Sequence, residues 1–159
     1  MSQLIKLIEE ASNKNSKLRL LKALTFSVML YGSATWALEV EDVKRINAFE
    51  MWTYRQILRI SWIERRTNFS ILVMLNVETR LAVMCKQTTL RFFGHIIRRD
   101  RSSLEKLMIK GKIEGKISRG RTPMRWIDQI KTITGYPLRE AIRLAENREL
   151  RKEIVANVN

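Results

Sequence analysis

The sequence predicts an all-α fold, and three observations carry that reading. Apolar residues make up 45% of the 159-residue chain and recur at three- and four-residue steps through most of it. Only 6 Gly and 2 Pro interrupt them, too few for a loop-rich chain. Strand-like alternation does not persist outside 106–118. The expected architecture is a small bundle of about six to seven helices with a basic, glycine-containing arm or short hairpin inserted near 111–122. The expected division is a helical bundle over 1–100, a basic linker over 101–123 and a helical extension over 124–159, with one compact domain as the alternative.

Each element has its own signal. Residues 3–10 (QLIKLIEE) read as a short helix, and SNKNS at 12–16 as a break. A long helix is expected from Lys17 to Leu38, with Leu20, Leu24, Val28, Tyr31, Thr35 and Leu38 on one stripe and Gly32-Ser33 weakening it. Its uncharged stretch, Ala23 to Leu38, is short of the ~20 apolar residues a spanning helix needs and lies too far along for a secretory signal. Glu41-Asp42 suits a helix start, and Ile46, Phe49, Thr53, Ile57 and Ile60 form the inner stripe of a helix near 42–60. After a connector at 61–67, Thr67 or Asn68 caps a short helix through Asn76. A helix near 77–99 follows, with Leu81, Cys85, Thr88, Phe92 and Ile96 inward and Arg80, Gln87, Arg91 and Arg98 outward. Ser102-Ser103 caps a piece to Lys110. Thr122-Pro123 starts a helix ending at Gly135, and Pro137 opens a last helical region to 157, broken near Asn147.

Charge carries the functional reading. The net charge is +14, and residues 86–125 hold 12 basic residues against 3 acidic ones. A solubilising surface interleaves Lys with Glu; here acids are scarce, which points to RNA and/or DNA held through its backbone. The candidate contacts are Arg55, Arg59, Lys86, Arg91, Arg98, Arg99, Lys110, Lys112, Lys116, Arg119, Arg121 and Arg125, with Arg119 and Arg121 at the centre. Trp126 is a candidate stacking surface for a base, with a core position as the plainer reading.

Catalytic groups are sparse. One Cys and one His exclude a zinc finger or zinc knuckle with four Cys/His ligands from this chain alone. Cys85 reads as a small core residue and His95 as a packed or capping one. The acidic doublets Glu9-Glu10 and Glu41-Asp42 lack the strand setting of a polymerase metal site. Asp100 with Glu114 and Lys116 matches a metal-dependent nuclease pattern in outline and stands as the alternative enzyme reading. A protein-interaction remnant without a nucleic-acid role is a further alternative. No enzyme activity, catalytic residue, metal site or cofactor is expected. One cysteine fits a reducing compartment, so an intracellular location, nuclear or cytoplasmic, is expected.

In this order along the chain, LRLLKALTFSVMLYGSATWAL, INAFEMWTYRQILRISWIERRTN, LRFFGHIIRRD and KIEGKISRGRTPMRWIDQIKTITG are similar to the C-terminal region of non-LTR (LINE-type, RTE-like) retrotransposon endonuclease–reverse transcriptases. YGSATW, LRFFGHIIRR and the RGR-to-MRW run are the most specific pieces. The chain departs from the family pattern at Ala34, at Thr53, and where Thr122-Pro123 follows the RGR run. The resemblance implies thumb-like helices and a basic extension that grip template and primer, with the catalytic aspartates upstream. It therefore implies a truncated, non-catalytic nucleic-acid-binding part of such a polyprotein. Without a palm to cover the 20–38 helix, self-association through that helix is expected, and no membrane partner.

Overall fold

Phase and capping decide where each helix starts and stops. The computed structural model describes residues 13–110 and 124–158, and these form helices and no strand: the fold is all-α. The expected helix at 3–10 and the arm near 111–122 lie outside the described residues. The chain divides into two compact units, Met1–Gly32 with Val40–Met84, and Ser33–Glu39 with Cys85–Asn159. The short segment 33–39 belongs with the later helices.

In the first unit, α1 (Lys14–Leu21) starts inside the stretch expected as a break. Asn13 is its N-cap, its side chain accepting from the Ser16 amide at 2.8 Å. A π-helical turn (Lys22–Phe26) follows without a gap, then α2 (Ser27–Ser33). A π turn holds an extra residue, so the helix changes phase there. The buried residues Leu21 and Phe26 are accordingly five apart. The expected stripe is not the buried one: Leu20 is exposed at 36% before the turn, and Val28 (74%) and Tyr31 (93%) are exposed after it.

α3 (Val40–Leu58) buries Ile46, Thr53 and Ile57, as its inner stripe predicts, and also Glu50, Met51, Tyr54 and Arg55. It is covered on two sides, with the Tyr54 ring edge-on to Phe26 at 6.1 Å. The Glu50 side chain has no exposed surface. Its Oε1 accepts from the Leu81 amide at 2.9 Å and from the Tyr54 hydroxyl at 3.1 Å, and its Oε2 pairs with Arg80 Nε. Arg80 also donates to Asn47 Oδ1 at 3.2 Å. Leu81 is the first residue of α5 (Leu81–Ile97), whose early amides have no partner inside the helix, so the Glu50 carboxylate caps it. Burial, then the Glu50 carboxylate, push the Tyr54 hydroxyl far above its ordinary pKa.

α3 ends with Ile60 N bonding Arg55 O at 3.0 Å and Arg59 N bonding Gln56 O at 3.1 Å, with Arg59 left-handed (φ 52°). A 3₁₀ turn (Trp62–Glu64), capped by Ser61 and Glu64 in reciprocal bonds, leads to α4 (Asn68–Met74). Thr67 caps α4, accepting from the Ser70 amide at 3.2 Å. α4 stops as α3 does, on left-handed Asn76 (φ 48°).

α5 (Leu81–Ile97) carries residues 85–97 of the second unit, joined by α6 (Leu104–Ile109), α7 (Trp126–Thr134), α8 (Leu138–Glu146) and α9 (Arg148–Ala156). The core includes Cys85, Leu90, Phe93, Ile97, Ile130, Ala141, Ala145 and Val155. The long N-terminal helix stops at Ser33 and not at Leu38. Side chains of the unit take over the helical bonds thereby lost: Thr89 Oγ1 donates to Ser33 O at 3.3 Å, Trp126 Nε1 to Ala34 O at 2.9 Å, and Gln129 Oε1 accepts from the Leu38 amide at 3.1 Å. α7 starts at Trp126 rather than at Pro123, with Arg125 in the N-cap position, and ends as expected at Gly135, whose φ of 70° suits a residue without a Cβ. Asn147 breaks the last helical region and caps α9, accepting from the Glu149 and Leu150 amides.

Glu50→Ala leaves Arg80 and the Leu81 amide without their acceptor, and is expected to destabilise the chain by about 3 kcal/mol in urea unfolding. Tyr54→Phe removes one hydrogen bond and is expected to cost about 1 kcal/mol.

Candidate nucleic-acid interface

The residues named from sequence fall into three groups. Lys112, Lys116, Arg119 and Arg121 lie outside the described residues, as do Glu114 and the rest of the arm. Arg55 and Arg59 belong to the first unit. Arg59 is exposed at the end of α3. Arg55 is 95% buried: its guanidinium lies 4.4 Å from the Trp62 ring centroid and donates to Arg66 O at 2.6 Å and Asn68 Oδ1 at 3.4 Å. In this conformation it ties the 3₁₀ turn to the start of α4, so it is a structural residue rather than a surface contact. Lys44, Met51, Arg55 and Arg59 lie at helical spacing from the start to just past the end of α3, and its second buried side claims the two middle members.

The other named residues lie in the second unit. Arg99 pairs with Glu105, and Arg125 with Asp128 at 2.8 Å. Asp128 also pairs with Lys131 at 2.9 Å. Hydrogen bonds from Arg125, then from Lys131, hold the Asp128 carboxyl down to about 2. Lys86 is half-buried, and Lys110 is exposed. Trp126 is half-buried: besides its bond to Ala34 O, its ring meets Phe92 at 6.1 Å and Phe93 at 6.2 Å. It is a packing residue that also lines a groove of about 570 Å³ with Phe92, Ile96, Met108, Lys110 and Arg125. Three of the residues named from sequence, Lys110, Arg125 and Trp126, thus share one groove.

Arg91, on the exposed side of α5, and Arg98, exposed just past its end, stand elsewhere. They share that surface with Arg148 and Arg151 of α9. Arg151 Nη1 donates to Arg91 O at 3.4 Å, and Arg98 Nη1 to Ala145 O at 3.3 Å. None of the four arginines forms an ion pair among the described residues. Partial burial, then the charges of Arg98, Arg148 and Arg91, press the Arg151 guanidinium below its ordinary pKa, with no carboxylate set against them. The neighbouring Lys152 is balanced by Glu149 at 3.0 Å. Arg148, Arg151 and Lys152 are spaced three and four apart, which places cations on one helical face; that spacing is the signal that identifies them.

Asp100 accepts from the Arg101 amide at 2.6 Å and the Ser102 hydroxyl at 2.8 Å, and these bonds hold its carboxyl below the usual range. It shapes the turn after α5. His95 is exposed and not packed, since it faces away from the Phe93 and Ile97 side of α5; Cys85 is buried as expected. No cluster of three His, Cys, Asp or Glu side chains occurs among the described residues, and none of the described helices is long and apolar enough to cross a membrane. Comparison with family models, with characterised proteins and with solved structures gives no match.

Because Asp128 titrates near 2 when folded and near 3.8 ordinarily, its contribution to stability is full above pH 3.8. It is lost as pH falls through about 2. Asp128→Asn is expected to flatten the loss of helical circular dichroism between those two values, without changing it near neutrality.

Proposed function

We propose that this chain is a nucleic-acid-binding module that grips the phosphate backbone, as the thumb-and-extension part of the non-LTR retrotransposon reverse transcriptases that its sequence resembles would do. The observation that carries the proposal is the group of four arginines, Arg91, Arg98, Arg148 and Arg151, on one surface of the second unit with no carboxylate among them. Like charges held together raise the free energy of the unliganded surface, and a polyanion relieves that repulsion. The acids of this unit that form ion pairs are spent elsewhere, Glu105 on Arg99, Asp128 on Arg125 and Lys131, Glu149 on Lys152. In sequence, the 86–125 stretch carries 12 basic residues against 3 acidic ones, Arg119 and Arg121 among them.

Affinity for duplex DNA, single-stranded RNA and an RNA–DNA hybrid is expected to fall steeply and linearly with log salt. Arg98→Ala with Arg148→Ala is expected to shallow the slope by roughly one to two, at about 0.7–0.9 per phosphate contact, and similarly for different sequences. Arg119→Ala with Arg121→Ala measures the share carried by the arm. A wild-type chain that binds none of the three polymers at low salt would overturn the proposal.

A second contact surface follows from α2, where Val28 and Tyr31 stand three apart and exposed. Self-association through this face is expected to appear as a concentration-dependent sedimentation coefficient. Val28→Glu with Tyr31→Glu is expected to abolish it. An unchanged coefficient in the double variant would place any association elsewhere.

A further inference from the structure

The cationic surface contains a cleft with its own geometry. It measures about 340 Å³ and lies between α5 and α9, lined by Gln87, Arg91, Arg151, Lys152, Val155 and Ala156. Arg151 is seated in it by an unusual device. Gly94 stands in the interior of α5, where glycine is about 1 kcal/mol less favourable than alanine. A Cβ built at Gly94 would lie 2.2 Å from Arg151 Cδ and 3.1 Å from Arg98 Nη1. The missing side chain is therefore the space that the aliphatic stem of Arg151 occupies.

Two further observations concern what the cleft lacks. Arg151 Nε is buried and has no hydrogen-bond partner, while its Nη1 is held on the Arg91 carbonyl. A guanidinium donates through five N–H groups in a planar fork that matches two oxygens of a phosphate. One donor is placed by the protein, one is orphaned, and the Arg91 side chain at the same cleft carries no ion pair among the described residues. Gln87 adds an uncharged amide that donates without altering the charge balance.

The geometry points to a discrete phosphate site in this cleft: Arg151, seated over Gly94, and Arg91 take the oxygens of one phosphodiester, with Gln87 beside them. This assignment rests on the nucleic-acid reading for the source of the phosphate, but the site itself is tested apart from it. It differs from a diffuse basic surface because a single added methyl group dislodges it. Gly94→Ala pushes Arg151 out of its seat and leaves every charge in place.

The test uses the full chain labelled with ¹⁵N and follows the arginine Nε–Hε signals. Inorganic phosphate, compared with chloride at equal ionic strength, is expected to shift the Arg151 and Arg91 signals saturably and to leave that of Arg139, an exposed arginine of α8, in place. Gly94→Ala is expected to abolish the phosphate shift at Arg151 without lowering the melting temperature, since alanine favours the helix. It is expected to weaken single-stranded RNA and duplex DNA alike, by about tenfold, the worth of one charge-assisted contact. If Gly94→Ala fails to fold, Arg151→Gln carries the same comparison. Phosphate shifts spread evenly over Arg139 and Arg143, or Gly94→Ala and Arg151→Gln proteins that bind as the wild type does, would overturn the site while steep salt dependence keeps the nucleic-acid reading. A saturable shift at Arg151 in a chain that binds no nucleic acid would keep the site, for a free phosphate compound, and overturn that reading.

Discussion

Glu50 is a carboxylate with no exposed surface, and the first unit is organised around satisfying it. A lone buried anion is prohibitively unfavourable, so its oxygens require donors. Arg80, the Leu81 amide and the Tyr54 hydroxyl supply them, from three separate points of the chain. The consequence reaches beyond charge balance. By accepting from the Leu81 amide, Glu50 fixes the residue at which α5 begins. The start of a helix sets its phase, and phase decides that Leu81, Cys85 and Ile97 turn inward while Arg91 and Arg98 turn to solvent. A hydrophobic pair in place of Glu50 and Arg80 would bury comparable surface but would specify no such register.

The second unit applies the same rule to backbone groups. Residues 34–39 leave the helix, and their carbonyls and amides would be unmet inside a packed unit. Trp126 and Gln129 meet two of them, and Thr89 meets the carbonyl of Ser33 just before. These side chains come from α5 and α7, which explains why a segment adjacent in sequence to the first unit is counted with the second. It also explains why Trp126 is a packing residue first, although it borders the groove beside Lys110 and Arg125.

Arg55, whose Nε and Nη1 are buried without a partner, departs from this rule in the first unit, and the surface of α5 and α9 departs from it in the second. Four arginines gather without an acid, a guanidinium nitrogen is buried without a partner, and a glycine interrupts a helix interior. Each breaks a local rule of stability, and such departures concentrate where a protein binds something. The same feature, an unbalanced positive surface, supports both the proposed grip on a phosphate backbone and the discrete cleft within it.

The all-α class, the caps at Thr67 and Gly135, the break at Asn147, and the helices near 42–60 and 77–99 were all legible in residue spacing, because periodicity and capping are local. The cationic character of 86–125 was legible for the same reason. Other features depend on residues far apart in the chain. The expected stripe through Leu20, Val28 and Tyr31 lies exposed, and Leu21 and Phe26, which a π turn brings to one side, are buried instead. The stops at Arg59 and Asn76 carry no glycine to announce them. Arg55 and Arg91 have the same chemistry and sit at comparable positions on helices. One is buried against Trp62 and the other is exposed beside Arg151. Composition and spacing settle how many cations the chain has and which helices bear them. Which of these cations are free to meet a phosphate depends on the side chains packed around each, and those come from distant parts of the chain.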